Sequence, residues 1–185
     1  MRAAAVALFV FAVAWAGPCF AEPAARAIDP AGSKAEFSVQ HLWVERVTGS
    51  VPVVRGSVTL EPGSLIPLRV SAVLDPTKIK TGEDDRDGVL QTPDWFDTKA
   101  FSEWTFASTA IAKTGPSSFT LDGDLTIHGV TQPARLEVTV TGSPEQPVFH
   151  AAGHLDRHAF GMKTTKLDPA IGERVDVTLE VKLAR

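Results

Sequence analysis

The chain of 185 residues has no tyrosine, a single cysteine and no excess of basic side chains. One cysteine cannot form an intrachain disulfide, and Cys19 lies in the N-terminal segment, so the rest of the chain contains no thiol. This excludes thiol nucleophiles and thiolate metal sites from that remainder. The 18 Lys and Arg residues against 22 Asp and Glu give a formal net charge of −4, which disfavours binding to nucleic acid.

The sequence also lacks the local motifs of common enzyme and cofactor sites. It contains no G-x-S-x-G elbow, no P-loop, no dinucleotide-binding glycine pattern and no H-E-x-x-H zinc motif. Paired carboxylates for glycoside chemistry cannot be singled out among so many acidic residues. These local patterns therefore give no positive indication of catalysis, and no cofactor is predicted.

One long apolar run is present, and it lies at the N-terminus. Arg2 precedes an uncharged stretch over 3–16, and small residues precede Ala21. This order is typical of a secretory signal peptide that is cleaved after Ala21. The run is shorter than the roughly 18–20 apolar residues of a transmembrane helix, which favours export over anchoring. We expect residues 1–21 to be a signal peptide and residues 22–185 to form a single domain.

Apolar and polar residues alternate with period two through most of the remaining chain. The clearest windows are 119–127, 134–141 and 175–183, where every second residue is apolar apart from Gly123. Alternation marks five further windows: 33–40, 53–60, 68–74, 104–112 and 148–156. Eight strands with one apolar face each predict an all-β antiparallel domain, either a sandwich or a closed barrel. A short helix is predicted in the connection around 83–91, which begins with acidic residues.

Several positions on the predicted inner face are small. They are Ala35, Ala72, Gly123, Ala134, Ala151 and Gly153. Small inward residues either leave an apolar cavity or make room for large neighbours in a filled core. The pattern alone leaves both alternatives open.

Two groups of polar residues resemble metal sites at first sight. His150, His154 and His158 are spaced by four, but on a strand this spacing separates neighbours by about 13 Å. A solvated outer face is the favoured interpretation, with a loop-assisted site at His158 as the alternative. The acidic run over 83–87 could bind calcium, but it lacks the glycine and distal glutamate of an EF-hand loop. A solvated helix start is favoured there, and no metal site is predicted.

Four large side chains are unusual for their positions. Trp43, Trp95 and Trp104 are expected to close barrel ends or to fill the core rather than to stack on a ligand. Simple alternation points Arg157 inward, where an unpaired guanidinium is too costly. We expect Arg157 to pair with a carboxylate or to lie beyond the end of its strand.

An ordered series of short motifs covers nearly all of residues 28–184. The segments are Ile28-Asp29-Pro30, Phe37-Ser38-Val39-Gln40-His41, Ile79-Lys80-Thr81, Arg86-Asp87, Asp94-Trp95-Phe96-Asp97, Thr105-Phe106, residues 121–131, and Arg157 with Phe160-Gly161-Met162. Each motif alone is common, but their order and spacing resemble the YceI-like family of lipid- and polyisoprenoid-binding proteins.

This resemblance implies an extended, lipocalin-like barrel of eight antiparallel strands, exported to the periplasm of a Gram-negative bacterium. It implies a long-chain isoprenoid or similar lipid held in an apolar lumen, without catalysis and without a cofactor. A transient contact with a membrane and a homodimer are compatible with this interpretation. Combined with the strand alternation, it predicts the following ligand-binding residues: Phe37, Val39, Val70, Ala72, Phe106, Leu121, Leu125, Leu136, Val138, Leu155, Phe160, Val177 and Leu179.

Two alternatives stay open. An enzyme acting on a hydrophobic substrate inside the barrel would need a titratable group in the lumen, for which Arg157, His41 and Asp87 are the candidates. A barrel filled by its own side chains would act through protein contacts on its surface, for example in a stress response.

Overall fold

The computed structural model describes residues 22–42, 45–162 and 170–185. The described chain forms ten antiparallel strands and one short α-helix. The strands are β1 (Ala24–Ala27), β2 (Lys34–His41), β3 (Glu45–Ser50), β4 (Val53–Leu60), β5 (Pro67–Leu74), β6 (Trp104–Gly115), β7 (Ser118–Ile127), β8 (Val130–Ser143), β9 (Gln146–Asp156) and β10 (Ile171–Lys182). The helix α1 is Asp84–Leu90, and 3₁₀ helices cover Pro76–Lys78 and Arg157–Phe160. Within these residues no helix has the length and hydropathy to cross a membrane.

The alternation in the sequence matches the two faces of the sheet. In β8, Leu136 and Val138 are buried, whereas Arg135 and Glu137 between them are exposed. Strands β7 and β8 are joined by a two-residue turn at His128 and Gly129, both with positive φ. Such a turn matches the twist of a hairpin, and it fixes the register that places one parity class inside.

All ten strands belong to one curled sheet. Their order is β1-β4-β5-β6-β7-β8-β9-β10-β2-β3. A bridge between Ile28 and Leu183 links the β1 edge to the end of β10, and a second bridge joins Ser50 to Lys80. The sheet is therefore curled into a half-barrel of the lipocalin-like type, with its apolar face on the inside.

The all-β class and the short helix are confirmed, but the expected number of eight strands is wrong. The eight predicted windows correspond to β2 and to β4 through β10, and the additional strands are β1 and β3. Strand β1 has four residues and none is fully buried. Strand β3 has one buried residue, Val47, and otherwise carries polar or small residues. Neither strand has enough apolar positions to show period two.

Candidate functional site

The curled sheet encloses an apolar void that we call the sheet cavity. Its volume is about 160 Å³. It is lined by inward residues of eight strands, among them Ala35, Val70, Ala72, Phe106, Phe119, Leu121, Leu125, Leu136, Val138, Phe149, Ala151, Leu179 and Val181. Glu36 is the only charged residue among the described residues that line it, and Glu36 is exposed. Apart from Glu36, the wall residues that lie in strands come from the apolar parity class of each strand, so the strand alternation itself produces the apolar lining.

A second void, the helix-end cavity, lies where α1, the loop before β6 and the 3₁₀ helix Arg157–Phe160 border the sheet. Its volume is about 330 Å³. Its apolar wall includes Val39, Val47, Val89, Leu90, Trp95, Phe96, Phe160, Met162, Ile171 and Val175. Unlike the sheet cavity, it also has polar wall residues, which are His41, Thr81, Arg86 and Arg157.

Five side chains line both cavities and form what we call the neck. They are Phe37, Trp104, Ile127, Leu155 and Val177. They come from β2, β6, β7, β9 and β10, which the sheet order brings around one axis. The two cavities are therefore neighbours along the lumen, with an inner half that is apolar apart from Glu36 and a helix-end half that is partly polar.

The thirteen residues predicted from the sequence all lie on these walls. Eleven line the sheet cavity, and three of those eleven, Phe37, Leu155 and Val177, also belong to the neck. The other two, Val39 and Phe160, line the helix-end cavity. Their contact with a ligand remains a prediction, because the structure contains none.

Sequence reasoning missed part of the helix-end cavity. Leu90, Phe96, Val47 and Met162 lie in the helix, in loops or in the irregular strand β3, where period two gives no signal. Ile171 and Val175 belong to β10, but the register between β10 and β2 shifts between these two residues. A register shift of this kind interrupts the period-two pattern, so the inward residues before the shift cannot be assigned from those after it.

A hydrogen-bonded group built around Asp87 anchors α1 beside the helix-end cavity. The buried Asp87 Oδ1 accepts hydrogen bonds from the Thr81 backbone N–H at 2.8 Å and from the Thr81 hydroxyl at 2.7 Å. Arg86 donates from Nε to the Thr81 hydroxyl oxygen and from Nη2 to the Thr81 carbonyl. The hydrogen bond from the Thr81 hydroxyl, which outweighs the opposing effect of burial, lowers the pKa of Asp87. A charged Asp87 therefore holds the turn at Thr81 against the start of the helix.

Arg157 lies just beyond the end of β9, in the 3₁₀ helix Arg157–Phe160. Only 4% of its surface is exposed, and its Nε and Nη2 donate to the carbonyls of Gly172 and Ile171 at 3.0 Å. Its guanidinium carbon lies 5.9 Å from the centre of the Trp95 ring, within the range of a cation–π contact. The position beyond the strand end is one of the two expectations stated for Arg157 from the sequence, and it is confirmed.

Trp104 belongs to the neck, and Trp95 and Phe96 lie beside it on the wall of the helix-end cavity. Trp95 and Trp104 are each 8% exposed, and Phe96 meets Trp104 edge-on with 4.7 Å between ring centres. Both tryptophans line the helix-end cavity, so they contribute to its wall as well as to the core. Trp43 and the segment predicted as a signal peptide lie outside the described residues.

The histidines of β9 lie on the outer face, as the alternation predicted. His154 is exposed, and the His150 Nδ1 lies 3.9 Å from the Glu180 carboxylate on the neighbouring strand. His158 Nδ1 is 3.9 Å from the Glu173 carboxylate. In the part of the chain that the structure describes, no three acidic, histidine or cysteine side chains are placed to share a metal ion. At the acidic run, the Asp84 side chain is 96% exposed, as expected for a solvated helix start, but Asp87 of the same run is buried, so the expectation is wrong for that residue.

Comparison with known proteins gives consistent matches over most of the chain. Protein YceI of Escherichia coli is 30% identical over 163 residues, which cover 84% of this chain and 84% of that protein. A UPF0312 protein of Vibrio parahaemolyticus is 31% identical over 138 residues, which cover 74% of this chain and 73% of the relative.

Solved structures share the fold at lower identity. BcnA of Burkholderia cenocepacia aligns with a TM-score of 0.75 at 21% identity, over 85% of this chain and 99% of that chain. A polyisoprenoid binding domain from Saccharophagus degradans aligns with a TM-score of 0.66 at 16% identity, over 88% of this chain and 98% of that chain. The model of the YceI-like domain matches residues 27–183, and by this match the chain belongs to the YceI-like domain family.

Proposed function

We propose that this protein binds a long-chain isoprenoid or similar lipid in its lumen, and that it carries or sequesters this ligand without chemical change. The observation that carries the proposal is the pair of adjacent apolar cavities joined at the neck. Removing a hydrocarbon chain from water contributes about 0.8 kcal/mol per buried CH₂. A chain that fills both cavities therefore needs few polar contacts to bind well.

The distribution of polar groups favours one orientation of the ligand. A polar head placed in the sheet cavity would lose its water and find almost no partner there, which is costly. The helix-end cavity offers His41, Thr81 and Arg86 on its wall. We propose that the tail occupies the sheet cavity and that the head lies in the helix-end cavity. Support from a related fold comes from the Saccharophagus domain, which is described as polyisoprenoid binding.

The enzyme alternative is less well supported by the geometry. Asp87 is absent from the described walls of both cavities, and its Oδ1 is engaged by two donors of Thr81. Arg157 donates to two backbone carbonyls that join it to the start of β10. His41 lies on the wall with its Nδ1 3.7 Å from the Glu45 carboxylate. These contacts give Asp87 and Arg157 structural roles, which favours a binding protein.

We also propose that the protein is exported to the periplasm after cleavage behind Ala21. The support is the basic, apolar and small-residue order of the first 21 residues. N-terminal sequencing of the processed protein from periplasmic extracts should give Glu22 as the first residue. A protein that keeps Met1 would contradict export by this route.

The proposed binding site is tested with a fluorescent prenyl analogue. Ala72→Trp places an indole in the sheet cavity, whose volume is close to the 150 Å³ that accommodates a single benzene ring in a protein core. We expect the affinity to fall by about tenfold or more, because the ring occupies the space of the tail. His154→Ala on the outer face is the control and should leave the affinity within about twofold.

Circular dichroism and urea unfolding establish that both variants are folded before the titration. Extraction of the purified wild-type protein and mass spectrometry should identify a chemically unchanged lipid. Normal affinity in folded Ala72→Trp, or loss of affinity in His154→Ala, would contradict a site in the lumen.

A further inference from the structure

The volumes of the two cavities limit the length of chain that they hold. A protein cavity of about 150 Å³ takes one benzene molecule, which has six carbons. The sheet cavity, at about 160 Å³, is of this size, and the helix-end cavity, at about 330 Å³, is twice as large. By this measure the lumen accommodates about 20 carbons in all.

The inner end of the lumen is closed by aromatic packing. Phe119 and Phe149 line the sheet cavity, are 1% and 6% exposed, and meet edge-on with 6.5 Å between ring centres. Phe119 lies eight residues along β7 from Ile127 of the neck, so this pair is at the far end of the lumen. A longer chain therefore cannot continue past it, and its extra carbons would have to emerge at the helix end.

We infer that a chain of about 15–20 carbons, three or four isoprene units, fills the lumen of this protein, and that a polyprenyl chain of about 40 carbons gains no further affinity from its additional carbons. The inference rests on the proposed function and adds the size class of the ligand. Each additional CH₂ that enters the lumen raises affinity by about fourfold at most, and carbons left in water add nothing. Affinity should therefore rise steeply with chain length and then stop rising.

The matched neighbours Ala151 and Ala152 of β9 provide a direct test. Ala151 lines the sheet cavity, with Val138 and Leu179 as its cross-strand partners. Ala152 is exposed on the opposite face. Ala151→Phe introduces one benzene-sized ring into a cavity of that size, whereas Ala152→Phe places the same ring in solvent. Ala151→Leu adds a smaller side chain to the same cavity, and it replaces Ala151→Phe in the test if that variant does not fold.

The experiment measures competition by geraniol, farnesol, geranylgeraniol and a 40-carbon prenol against a fluorescent prenyl analogue. In the wild type and in Ala152→Phe, affinity should rise by about tenfold or more per isoprene unit up to 20 carbons, and it should then level or fall. In Ala151→Phe or Ala151→Leu the preferred length should shorten by about one isoprene unit. Affinity that keeps rising to 40 carbons, or the same preferred length in the Ala151 and Ala152 variants, would overturn the inference. If no prenol competes and the analogue itself does not bind, the proposed function fails instead.

Discussion

A single acidic substitution in the wall of the lumen tests whether the interior is apolar. Leu125 of β7 lines the sheet cavity and packs against the hydrophobic residues on both sides of the neck. The next residue, Thr126, lies on the other face, where its hydroxyl is 2.8 Å from the hydroxyl of Thr131. Leu125→Asp therefore places a carboxylate in the lumen, while Thr126→Asp places the same group on the outside.

The two substitutions differ greatly in their expected cost. Leu125→Asp loses about 1.5–3 kcal/mol of apolar burial and adds a penalty of several kcal/mol for an unpaired charge away from water. Thr126→Asp loses about 0.5–1.5 kcal/mol from a hydroxyl hydrogen bond. The free energy of unfolding of a domain of this size is about 5–15 kcal/mol. Leu125→Asp therefore removes much of the stability, whereas Thr126→Asp removes little of it.

Urea unfolding at two pH values measures this difference. With a slope of about 1–3 kcal/mol per molar urea, Leu125→Asp should lower the midpoint by about 1–3 M more than Thr126→Asp at pH 7.5. Burial raises the pKa of the new carboxyl in the folded protein above its value in the unfolded chain. The loss of stability is therefore greatest at pH values where this carboxyl is ionised in the unfolded chain, and it becomes smaller as the pH falls and the buried carboxyl is protonated. At pH 4.5 the midpoint gap should narrow.

A neutral variant separates charge from polarity. Leu125→Asn has no charge, so its destabilisation should be smaller at pH 7.5 and should not change between the two pH values. Equal midpoints for Leu125→Asp and Thr126→Asp, or a gap that is insensitive to pH, would refute the assignment of Leu125 to a dry lumen.

The remaining predictions concern two glycines and the anchor of α1. A Cβ at Gly123 would lie 2.6 Å from a backbone carbonyl of β6, so Gly123→Ala should cost about 1–3 kcal/mol in urea unfolding. Gly88 of α1 has open space around it, so Gly88→Ala should stabilise the protein by about 0.5–1 kcal/mol. Equal effects of Gly123→Ala and Gly88→Ala on the urea midpoint would contradict the close packing at Gly123. Because the Thr81 hydroxyl lowers the pKa of Asp87, the stability from this carboxylate is present above about pH 4 and is lost as pH falls through its lower folded pKa. In Asp87→Asn the urea midpoint should therefore fall less steeply below pH 4 than in the wild type. If the midpoint fell equally in both proteins, Asp87 would not be the source of the acid-sensitive stability.

The wall of the sheet cavity could be predicted from the sequence because period two is a local property of each strand. Once Phe119 is inside, Leu121 must also be inside, and the short turn between β7 and β8 transfers this register to Leu136 and Val138. The parity of each strand is therefore enough to identify the residues on the wall of the sheet cavity. The strands that were missed, β1 and β3, are those in which too few apolar residues carry the pattern.

The division of the lumen into two cavities that meet at the neck could not be predicted in the same way, although some residues of the neck and of the helix-end wall were. The neck combines residues from five strands, and Phe37 of β2 is separated from Val177 of β10 by most of the chain although the two are directly paired. The helix-end cavity depends on where α1 and the 3₁₀ helix at Arg157 rest on the sheet. These placements follow from individual hydrogen bonds, such as those of Asp87 to Thr81 and of Arg157 to the carbonyls of Ile171 and Gly172, and no periodicity encodes them.

The small inward residues divide into two groups that resolve the choice between a filled core and a cavity. A Cβ at Gly123 would lie 2.3 Å from the Phe106 ring, and one at Gly153 would lie 2.7 Å from Leu136 Cδ2. The space that these glycines leave is therefore already occupied by large neighbours, as in ordinary interdigitated packing.

The inward alanines behave differently. Ala35, Ala72, Ala134 and Ala151 all line the sheet cavity, so the volume next to them is not taken up by a neighbour. The interior is thus packed at its glycines and open at its alanines. A substitution that enlarges a glycine must displace Phe106 or Leu136 and acts on stability, whereas one that enlarges Ala72 or Ala151 enters the cavity and acts on the ligand.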